Sequence, residues 1–274
     1  MTKVSVIIPV YGARDTIAAC LDTVLEQTLD EIEAILVDDH GPDDSIAAAQ
    51  AHLQDYSGPK RFRFIETPAN AGPGAARNLG IEAASGEFVA FLDSDDTLEP
   101  DFCQALYEAA RQADADLAFG HIVFDTSDGR SVVRQNPPVR DGAFEGKAKR
   151  AYLRRFTSYF TTYIYRRSLL LENGIRFPGT HSAEDSCFLI CGLLSARRIA
   201  SVDKALYHYR ISPVSVSRKK DRGRWKNRLA SLRTMVAFAR EKGLYDRYRG
   251  TIRLLLFKKG WLMAARDYLT NNLF

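Results

Sequence analysis

The stretch FVAFLDSDD, residues 88–96, is the most informative part of the sequence. It opens with an apolar run that has the length and composition of a buried β-strand. The run ends in three carboxylates, Asp93, Asp95 and Asp96, and burying so much negative charge is costly unless a cation neutralises it. Because carboxylate oxygens suit Mg²⁺ or Mn²⁺, the stretch predicts a metal site at a strand end. The alternative is a solvated turn whose aspartates begin the next helix.

Strand and helix signals alternate around this stretch, which predicts a mostly parallel sheet covered by helices. The first strand is expected to stop at Pro9. The predicted strands are 4–8, 34–37, 62–65, 88–92, 116–124, 160–167 and 199–209. The predicted helices are 14–27, 43–54, 72–84, 101–113 and 184–194, with two basic amphipathic helices across 222–270 that break near Gly243.

The ends of three predicted strands carry the polar residues of interest. They are Pro9-Val10-Tyr11, Asp38-Asp39 and the Asp93–Asp96 cluster. In an open α/β sheet, ligands bind outside the carboxyl ends of the strands, so these groups are expected to share one ligand. The sequence has neither GxGxxG after its first strand nor GxxxxGK[ST], which excludes the usual dinucleotide and P-loop motifs.

The bulk composition is typical of a soluble globular protein, with 46% hydrophobic and 26% charged residues among 274. That length suits one large domain, or one domain with an appendage. The four cysteines have no zinc-site spacing and indicate a reducing compartment. No signal peptide is recognised, so a cytoplasmic location is expected.

The charge of the chain is unevenly distributed. Residues 1–203 hold 20 Lys and Arg against 30 Asp and Glu, whereas residues 204–274 hold 18 against four. A basic tail on an acidic body predicts an anionic partner, either phosphate-bearing substrate or the inner face of the cell membrane. Nucleic acid is disfavoured because no motif for it accompanies the charge. A helical cap on the body and a homodimer interface are the alternatives for this tail.

An apolar face is predicted within the basic tail for contact with a membrane. The residues assigned to this face and to the charges around it are Trp261, Leu262, Leu269, Lys258, Lys259 and Arg266.

Five segments, in their order along the chain, carry a family resemblance. VSVIIPVYG, ILVDD, NAGPGAARNLG, FLDSDD and AEDSCF resemble the family 2 glycosyltransferases with the GT-A fold, a Rossmann-like mostly parallel sheet flanked by helices. The resemblance covers residues 3–217. It implies a catalytic domain at 1–217 and a basic C-terminal helical extension at 218–274. It also implies metal-dependent transfer of a sugar from a nucleotide-diphosphate donor to an acceptor hydroxyl, with inversion.

The resemblance assigns the nucleotide side of the site. Pro9, Val10 and Tyr11 match the loop that packs on the nucleobase, and Asp39 matches the carboxylate that reads the base. Since Asp39 suits uracil, a UDP-sugar is the expected donor. Arg77 matches a donor-phosphate or site-organising residue, although its segment could simply be a glycine-permitted tight turn.

The metal side of the site follows from the DxD motif of the family. Asp93 and Asp95 match this motif, and Asp95 is the expected direct ligand of Mn²⁺ or Mg²⁺, with Asp96 as a contender. Ser94 and Asp96 are assigned to the nucleotide-sugar site. His208 matches a position at which some relatives have a third metal ligand, while the alternative is a partly buried strand histidine.

The later AEDSCF segment matches the family's ED motif. Asp185 would be the general base that takes the proton of the acceptor hydroxyl, and Glu184 would lie at the donor. The alternative is that Asp185 merely caps the following helix. Arg210 is assigned to the nucleotide-sugar site, at the start of a loop expected to close over the diphosphate and containing Ser215, Ser217 and Arg218.

The resemblance places the protein in the assembly of a bacterial-type surface polysaccharide, with a glycan or lipid-linked acceptor. One alternative is a non-catalytic nucleotide-sugar-binding or scaffold protein on the same fold, which the intact DxD and ED motifs disfavour. Another is a nucleotidyltransferase, which would need a Gly-rich basic loop where the chain has Pro9-Val10-Tyr11-Gly12.

Overall fold

The computed structural model describes residues 1–126, 128–180, 182–211, 224–263 and 265. Its strands are β1 (Val4–Val10), β2 (Ile32–Asp38), β3 (Arg61–Glu66), β4 (Phe88–Phe91), β5 (Thr97–Leu98), β6 (Leu117–Asp125), β7 (Ser131–Arg134), β8 (Gly142–Ala143), β9 (Tyr163–Arg166) and β10 (Arg198–Arg210). Its helices are α1 (Ile17–Leu25), α2 (Ser45–Leu53), α3 (Pro73–Ala83), α4 (Phe102–Gln112), α5 (Gly146–Leu153), α6 (Arg167–Asn173), α7 (Glu184–Ser195), α8 (Arg224–Glu241) and α9 (Leu244–Leu255). A 3₁₀ turn covers Phe160–Thr162, and a π-helical turn covers Leu256–Trp261.

These strands form one mixed sheet with the order β3-β2-β1-β4-β9-β6-β10-β5, while β7 pairs with β6 and β8 pairs with β10. β3, β2, β1 and β4 are parallel to one another, and β6 is parallel to β10. β9 runs antiparallel between β4 and β6. The predicted mostly parallel sheet is therefore confirmed.

Both faces of the sheet are covered, which explains why its central strands read as continuous apolar runs. Side chains alternate along β1, so Val6 and Ile8 join the cluster under α1, α2 and α4. Ile7 joins the cluster on the other face, which includes residues of α3, α5, α7, α8 and α9. α3 lies very close to β1, because a Cβ added at Gly80 would come within 2.4 Å of Ile7 Cγ2.

The prediction that the first strand stops at Pro9 is wrong, since β1 continues to Val10. Proline removes one backbone donor, which matters only where the neighbouring strand offers an acceptor. The Ile7 carbonyl accepts from Leu92 on the β4 side, and Pro9 faces that same side by the alternation of the strand. β4 ends at Phe91, so the missing N–H of Pro9 leaves no ladder bond unmade.

The C-terminal helices pack onto the body of the protein. α8 and α9 meet at Gly243, whose φ of 66° lies in the left-handed region, and this confirms the predicted break. Their residues Leu232, Met235 and Ile252 are buried in the same cluster as α3 and α7. The predicted domain boundary at 217/218 lies outside the described residues and stays a prediction. Among the described helices, none is long and apolar enough to cross a bilayer.

Candidate active site

The carboxyl ends of β1, β2, β3 and β4 meet at one edge of the sheet. Backbone hydrogen bonds join the Asp39 N–H to the Val10 carbonyl at 3.1 Å and the Thr67 N–H to the Asp38 carbonyl at 2.9 Å. The residues that follow these strands are therefore neighbours in space, as the parallel pattern predicted.

The loop after β1 presents one aromatic ring to solvent. Tyr11 is 53% exposed, whereas Pro9 and Val10 are buried within the strand. Of the three residues predicted to pack on a nucleobase, Tyr11 is thus the one whose side chain can do so. The loops after β1 and β2 touch at Gly41, where an added Cβ would lie 2.8 Å from the Gly12 nitrogen. A side chain at Gly41 would therefore force the loops apart.

Asp39 is buried, and its carboxylate organises the loop that leads into α3. Its Oδ1 accepts hydrogen bonds from the Ala71 N–H at 2.9 Å and the Thr67 hydroxyl at 3.1 Å. Its Oδ2 accepts from the Gly72 N–H at 2.8 Å. The predicted role in reading a base remains a prediction, because a carboxylate holding its own loop has fewer lone pairs left for a ligand.

Arg77 of α3 joins the loop region to the DxD motif. Its guanidinium lies 2.5 Å from Asp93 Oδ1 and is buried. The ring centroids of Phe160 and Phe177 lie 4.9 and 5.4 Å from its central carbon. Next to it, the Asn78 side chain exchanges two hydrogen bonds with the backbone of Phe177. The predicted site-organising role of Arg77 matches these contacts better than a tight turn alone.

The Asp96 carboxylate accepts hydrogen bonds from two residues of β10. Its Oδ2 accepts from the Tyr207 hydroxyl at 2.7 Å, and its Oδ1 accepts from the Arg210 N–H at 2.9 Å. The same Tyr207 oxygen accepts from the Asp93 N–H at 3.2 Å. Asp96 is 1% exposed, so this geometry favours a supporting role over the predicted contact with nucleotide or metal.

Asp93 and Asp95 are the carboxylates that remain open to a ligand. Asp95 is exposed, and Asp93 keeps one oxygen beyond its pair with Arg77. Desolvation and the neighbouring Asp93 carboxylate raise the pKa of Asp95, and the same two causes raise the pKa of Asp96 well above its usual value. A cation would relieve this crowding of negative charge.

The carboxylates suit a cation that brings other ligands with it. Within the described ranges, no three Asp, Glu, His or Cys side chains form a ready-made metal-binding group. Mg²⁺ commonly takes one or two carboxylates and completes its shell with phosphate oxygens and water. Asp93 and Asp95, with the half-buried Ser94 between them, fit that pattern.

His208 lies away from this cluster. Its Nδ1 is 2.7 Å from Asp125 Oδ2, and its Nε2 is 2.7 Å from Glu99 Oε1. Successive side chains of a strand point to opposite faces of the sheet. The side chain of the neighbouring Tyr207 lies on the face where it contacts Asp93 and Asp96, so the His208 side chain lies on the other face. With both ring nitrogens engaged, the geometry favours the partly buried strand histidine, and the metal-ligand role of His208 stays a prediction.

The ED motif forms the first turn of α7, as predicted. The preceding residue, Ala183, takes the N-cap position with a φ of 61° and makes no side-chain cap bond. Asp185 therefore lies inside the helix, and its Oδ1 accepts from the Ser186 N–H at 2.5 Å. Desolvation raises the pKa of Asp185, and the charges of Arg77 and Lys259 oppose that rise.

A cluster of aromatic rings joins the strand that precedes the DxD motif to the helix that begins with the ED motif. The rings of Phe177 and Phe188 stack with centroids 4.0 Å apart, and Phe160 meets Phe177 at 5.3 Å. Phe91, the last residue of β4, packs against Phe188 at 5.4 Å. The Arg77 guanidinium that pairs with Asp93 lies against this cluster, and an apolar surrounding strengthens the electrostatic interaction of that pair.

Sequence analysis missed Tyr207, and it assigned Lys259 to a membrane-contacting face, whereas Lys259 is half-buried and hydrogen-bonds to Ser158. Tyr207 could have been found from the alternation of β10, because a side chain adjacent to His208 must face the other side of the sheet. Lys259 comes from the far C-terminus and carried no motif. The predicted closing loop with Ser215, Ser217 and Arg218 lies outside the described residues, and Arg210 itself is exposed.

Known proteins with this sequence pattern are glycosyltransferases. The family model "Glycosyl transferase family 2" matches residues 5–174. The chain is 32% identical to the putative glycosyltransferase EpsH of Bacillus subtilis, over 98% of the chain and 78% of that protein. It is 31% identical to the succinoglycan biosynthesis protein ExoO of Rhizobium meliloti, over 78% of the chain and 62% of that protein.

Solved structures show the same fold. S. aureus TarS 1-349 in complex with UDP matches with a TM-score of 0.66 and 26% identity, over 86% of the chain and 65% of TarS. The chain therefore spans less than two thirds of ExoO and of the TarS fragment.

Proposed function

The chain belongs to glycosyl transferase family 2 and has the GT-A fold, and on that premise we propose that it is an inverting, metal-dependent enzyme that uses a UDP-sugar. One observation carries the proposal. α3 meets both acidic motifs: its Arg77 pairs with Asp93 at 2.5 Å, and a Cβ added at its Gly74 would lie 4.0 Å from Cγ of Glu184, the residue before Asp185. A metal–diphosphate group and a base held on these neighbouring elements can act on one bound sugar.

Asp185 is the residue that would move a proton. A carboxylate whose pKa is raised by burial is a better proton acceptor than a fully solvated one. It would take the proton of the acceptor hydroxyl while that oxygen attacks the anomeric carbon. The nucleoside diphosphate leaves with the electron pair of the broken bond, and direct displacement inverts the anomeric centre.

Asp93 and Asp95 would hold the Mn²⁺ or Mg²⁺ ion. When bound, the ion supplies positive charge that neutralises the diphosphate. Arg77 fixes the orientation of Asp93, and Tyr207 with Asp96 fixes the backbone of the turn that carries the motif. These residues prepare the donor side before any ligand arrives.

Three features support uridine as the donor base. TarS, which shares 26% identity with the chain, was solved with UDP. Tyr11 offers an exposed ring, and Asp39 lies at the end of β2 beside it. A carboxylate at this position would accept the imino N–H of uracil.

The test is a donor screen with UDP-, GDP- and TDP-sugars in the presence of Mn²⁺, measured by slow donor hydrolysis and thermal shift. We expect UDP-sugars to be preferred and EDTA to abolish the effect. Asp95→Ala should remove the response to Mn²⁺, while Asp246→Ala, which deletes an exposed carboxylate on α9, should keep it. Preference for GDP-sugars would refute the uracil assignment.

The donor screen also separates the proposal from its alternative. A non-catalytic nucleotide-sugar-binding protein would show metal-dependent UDP binding without any donor turnover. UDP affinity that is unchanged by EDTA would contradict the DxD assignment.

We propose further that the enzyme acts in cell-surface polysaccharide assembly, on a glycan or lipid-linked acceptor at the inner face of the cell membrane. ExoO, a succinoglycan biosynthesis protein, supports the pathway class. Phe257, Leu262 and Met263 are exposed beside Lys258 at the end of the described chain. Apolar side chains flanked by cations are typical of membrane-surface segments.

Not all of the residues that sequence analysis assigned to the membrane-contacting face are exposed in the described structure. Lys259 is turned towards the body of the protein and hydrogen-bonds to Ser158. The Trp261 side chain, Arg266 and Leu269 lie outside the described residues. Co-sedimentation with vesicles rich in anionic lipid, lost at high salt, would support docking. No binding at low salt, with a dimer in light scattering, would favour the homodimer alternative instead.

A further inference from the structure

Three aromatic rings lie together near the DxD motif, and the proposed chemistry does not use them. Phe124 is the last residue but one of β6, and Tyr209 is the last residue but one of β10. Their ring centroids are 5.3 Å apart, and the ring centroid of Tyr159 lies 5.4 Å from that of Phe124. These three residues form an aromatic patch. All three are half-buried, so part of each side chain is accessible to a ligand.

The pairing of β6 with β10 brings the aromatic patch to the edge of the sheet where the DxD motif lies. β9 is antiparallel to both β4 and β6, so the carboxyl ends of β4, β6 and β10 share one edge. Tyr209 lies opposite Phe124 in the parallel pair. Because side chains two residues apart along a strand share a face, Tyr209 is on the same face as Tyr207, whose hydroxyl donates to Asp96.

Two chain connections join the aromatic patch to the donor side of the site. The residue after Tyr209 is Arg210, whose backbone N–H donates to a carboxylate of the FLDSDD segment at 2.9 Å. The residue after Tyr159 is Phe160, whose ring centroid lies 4.9 Å from the central carbon of the Arg77 guanidinium. The aromatic patch is therefore continuous with the donor side of the site.

The loop that carries Tyr159 is held in place by hydrogen bonds within the protein. The Tyr159 carbonyl accepts from the Thr162 N–H at 3.2 Å and from the Thr162 hydroxyl at 2.9 Å. The buried Asn136 side chain ties this loop to β6, since its amide donates to the Gly120 carbonyl at 2.7 Å and to the Thr162 hydroxyl at 3.0 Å. A binding surface that is already ordered loses little conformational entropy when a ligand arrives.

The chemistry of the aromatic patch suits a sugar ring. A pyranose has an apolar face of C–H groups and a rim of hydroxyls, and a tyrosine has an apolar ring with a polar tip. The hydroxyls of Tyr159 and Tyr209 make no hydrogen bond among the described residues, so both are available to sugar hydroxyls. The guanidinium of Arg134 adds donors beside the patch, because its central carbon lies 5.5 Å from the Phe124 ring centroid.

The position of the aromatic patch favours the acceptor over the donor. The residues expected to bind the nucleotide, Tyr11 and Asp39, follow β1 and β2, whereas β6 and β10 lie on the other side of β4 in the sheet. A polysaccharide acceptor is a chain of sugars. One ring of that chain can rest on the patch while the next sugar presents its hydroxyl to the donor.

We propose that the aromatic patch is a saccharide subsite that holds a sugar ring of the acceptor, next to the sugar whose hydroxyl reacts. The inference deepens the proposed function and rests on it. The patch positions the acceptor and takes no part in proton transfer to Asp185. The acceptor is then a glycan or a lipid-linked glycan, and a lipid phosphate that lacks a sugar does not bind here.

The test measures sugar binding without any transfer reaction. Saturation-transfer difference NMR is recorded with methyl β-D-glucopyranoside, methyl N-acetyl-β-D-glucosaminide, methyl β-D-galactopyranoside and methyl α-D-mannopyranoside, and each dissociation constant is obtained by titration. The spectra are recorded for the protein alone and again with UDP and Mn²⁺. Farnesyl phosphate, a lipid phosphate without a sugar, is the contrasting probe. We expect at least one glycoside to bind, with the strongest saturation on the C–H protons of one ring face.

Leucine substitutions remove an aromatic ring and keep most of the apolar volume. Tyr159→Leu and Tyr209→Leu should each weaken glycoside binding about tenfold, because the ring contact is lost. Tyr209→Phe keeps the ring and should weaken binding only about threefold. Tyr245→Leu, which removes a half-buried tyrosine from α9, is the matched control and should bind like the wild type. UDP affinity measured by calorimetry should be the same in all four variants, which also shows that they are folded.

Several results would overturn the proposal. One is the failure of all four glycosides to bind, or equal binding by the wild type and both leucine variants. Another is farnesyl phosphate binding that the leucine variants lose, because the patch would then hold the lipid. A matching loss of affinity for the UDP-sugar selected by the donor screen would place the donor sugar on the patch. If glycosides bind through the patch but UDP does not bind at all, the result counts against the proposed function alone.

Discussion

The two halves of the site are built in different ways. The donor half consists of residues that follow β1, β2 and β4, and the register of one parallel sheet brings them together. The acceptor half is built around Asp185 at the start of α7, and helix packing positions it, because the Ser231 hydroxyl of α8 donates to the Ser182 carbonyl just before α7. The donor half should therefore tolerate changes in the C-terminal helices, whereas the acceptor half should not.

The strongest test of this division is Asp185→Asn. The amide cannot accept the hydroxyl proton, so we expect transfer to fall by about 10²–10⁴. UDP affinity should stay within about twofold of the wild type, because the substitution leaves the Arg77–Asp93 pair and the hydrogen bonds of Asp39 in place. The UDP affinity is measured by titration calorimetry in the presence of Mn²⁺. Near-normal turnover would show that another residue is the base. An equal loss of UDP binding would show that the donor and acceptor halves are not independent.

Sequence analysis was most successful for the donor half. Strand ends with polar residues identify the ligand edge of a parallel sheet, because both the apolar runs and the carboxylates are local signals. The individual roles were less predictable. Asp96 turned out to be buried under Tyr207, and His208 faces away, since the side on which each residue of β10 lies depends on its bulged pairing with β6.

The acceptor half was less accessible from sequence. The ED motif marked Asp185, but the orientation of α7 depends on Ala183 in a left-handed conformation, which no pattern favours for alanine. Lys259 was assigned to a surface because basic amphipathic helices are usually solvated on their charged face. Its inward position follows from the π-helical turn, which shifts the register of side chains in a way that helical periodicity cannot predict.

Tyr207→Phe tests the donor half through stability. The variant removes the hydroxyl that donates to the buried Asp96 oxygen and accepts from the Asp93 N–H. A buried carboxylate oxygen left without its donor should lower the free energy of unfolding by about 1–3 kcal/mol. Urea denaturation gives this value. The variant should also bind UDP more weakly in Mn²⁺, because the turn that carries the DxD motif is looser.

A stability loss without any change in UDP binding would show that Asp96 and Tyr207 support the fold alone. Tyr209→Phe is the matched control, since it removes a neighbouring hydroxyl from the same strand while leaving the Asp96 contacts intact. It should match the wild type in UDP affinity.

Asp39 allows a finer test within the donor half. Asp39→Ala removes both a predicted base contact and the acceptor of the Ala71 and Gly72 N–H groups, so UDP binding should weaken by roughly 1–3 kcal/mol. Asp39→Asn keeps one acceptor oxygen for the loop but presents an amide donor to uracil. If the carboxylate reads the base, both variants should lose similar affinity by calorimetry. If it only organises the loop, Asp39→Asn should lie close to the wild type.

The variant with the smallest expected effect tests how α8 supports the acceptor half. Ser231 is buried in α8, and its hydroxyl holds the Ser182 carbonyl and meets the Thr180 hydroxyl. Ser231→Ala should cost about 1 kcal/mol of unfolding free energy. Because the lost bond positions the segment that enters α7, transfer should fall a few-fold while UDP affinity is unchanged, in line with the cost of small misplacements near a reacting group. Thr234→Ala, which alters an exposed hydroxyl on the same helix, should change neither value. If Ser231→Ala lowers UDP affinity as much as it lowers transfer, then α8 supports both halves of the site and the two halves are not structurally independent.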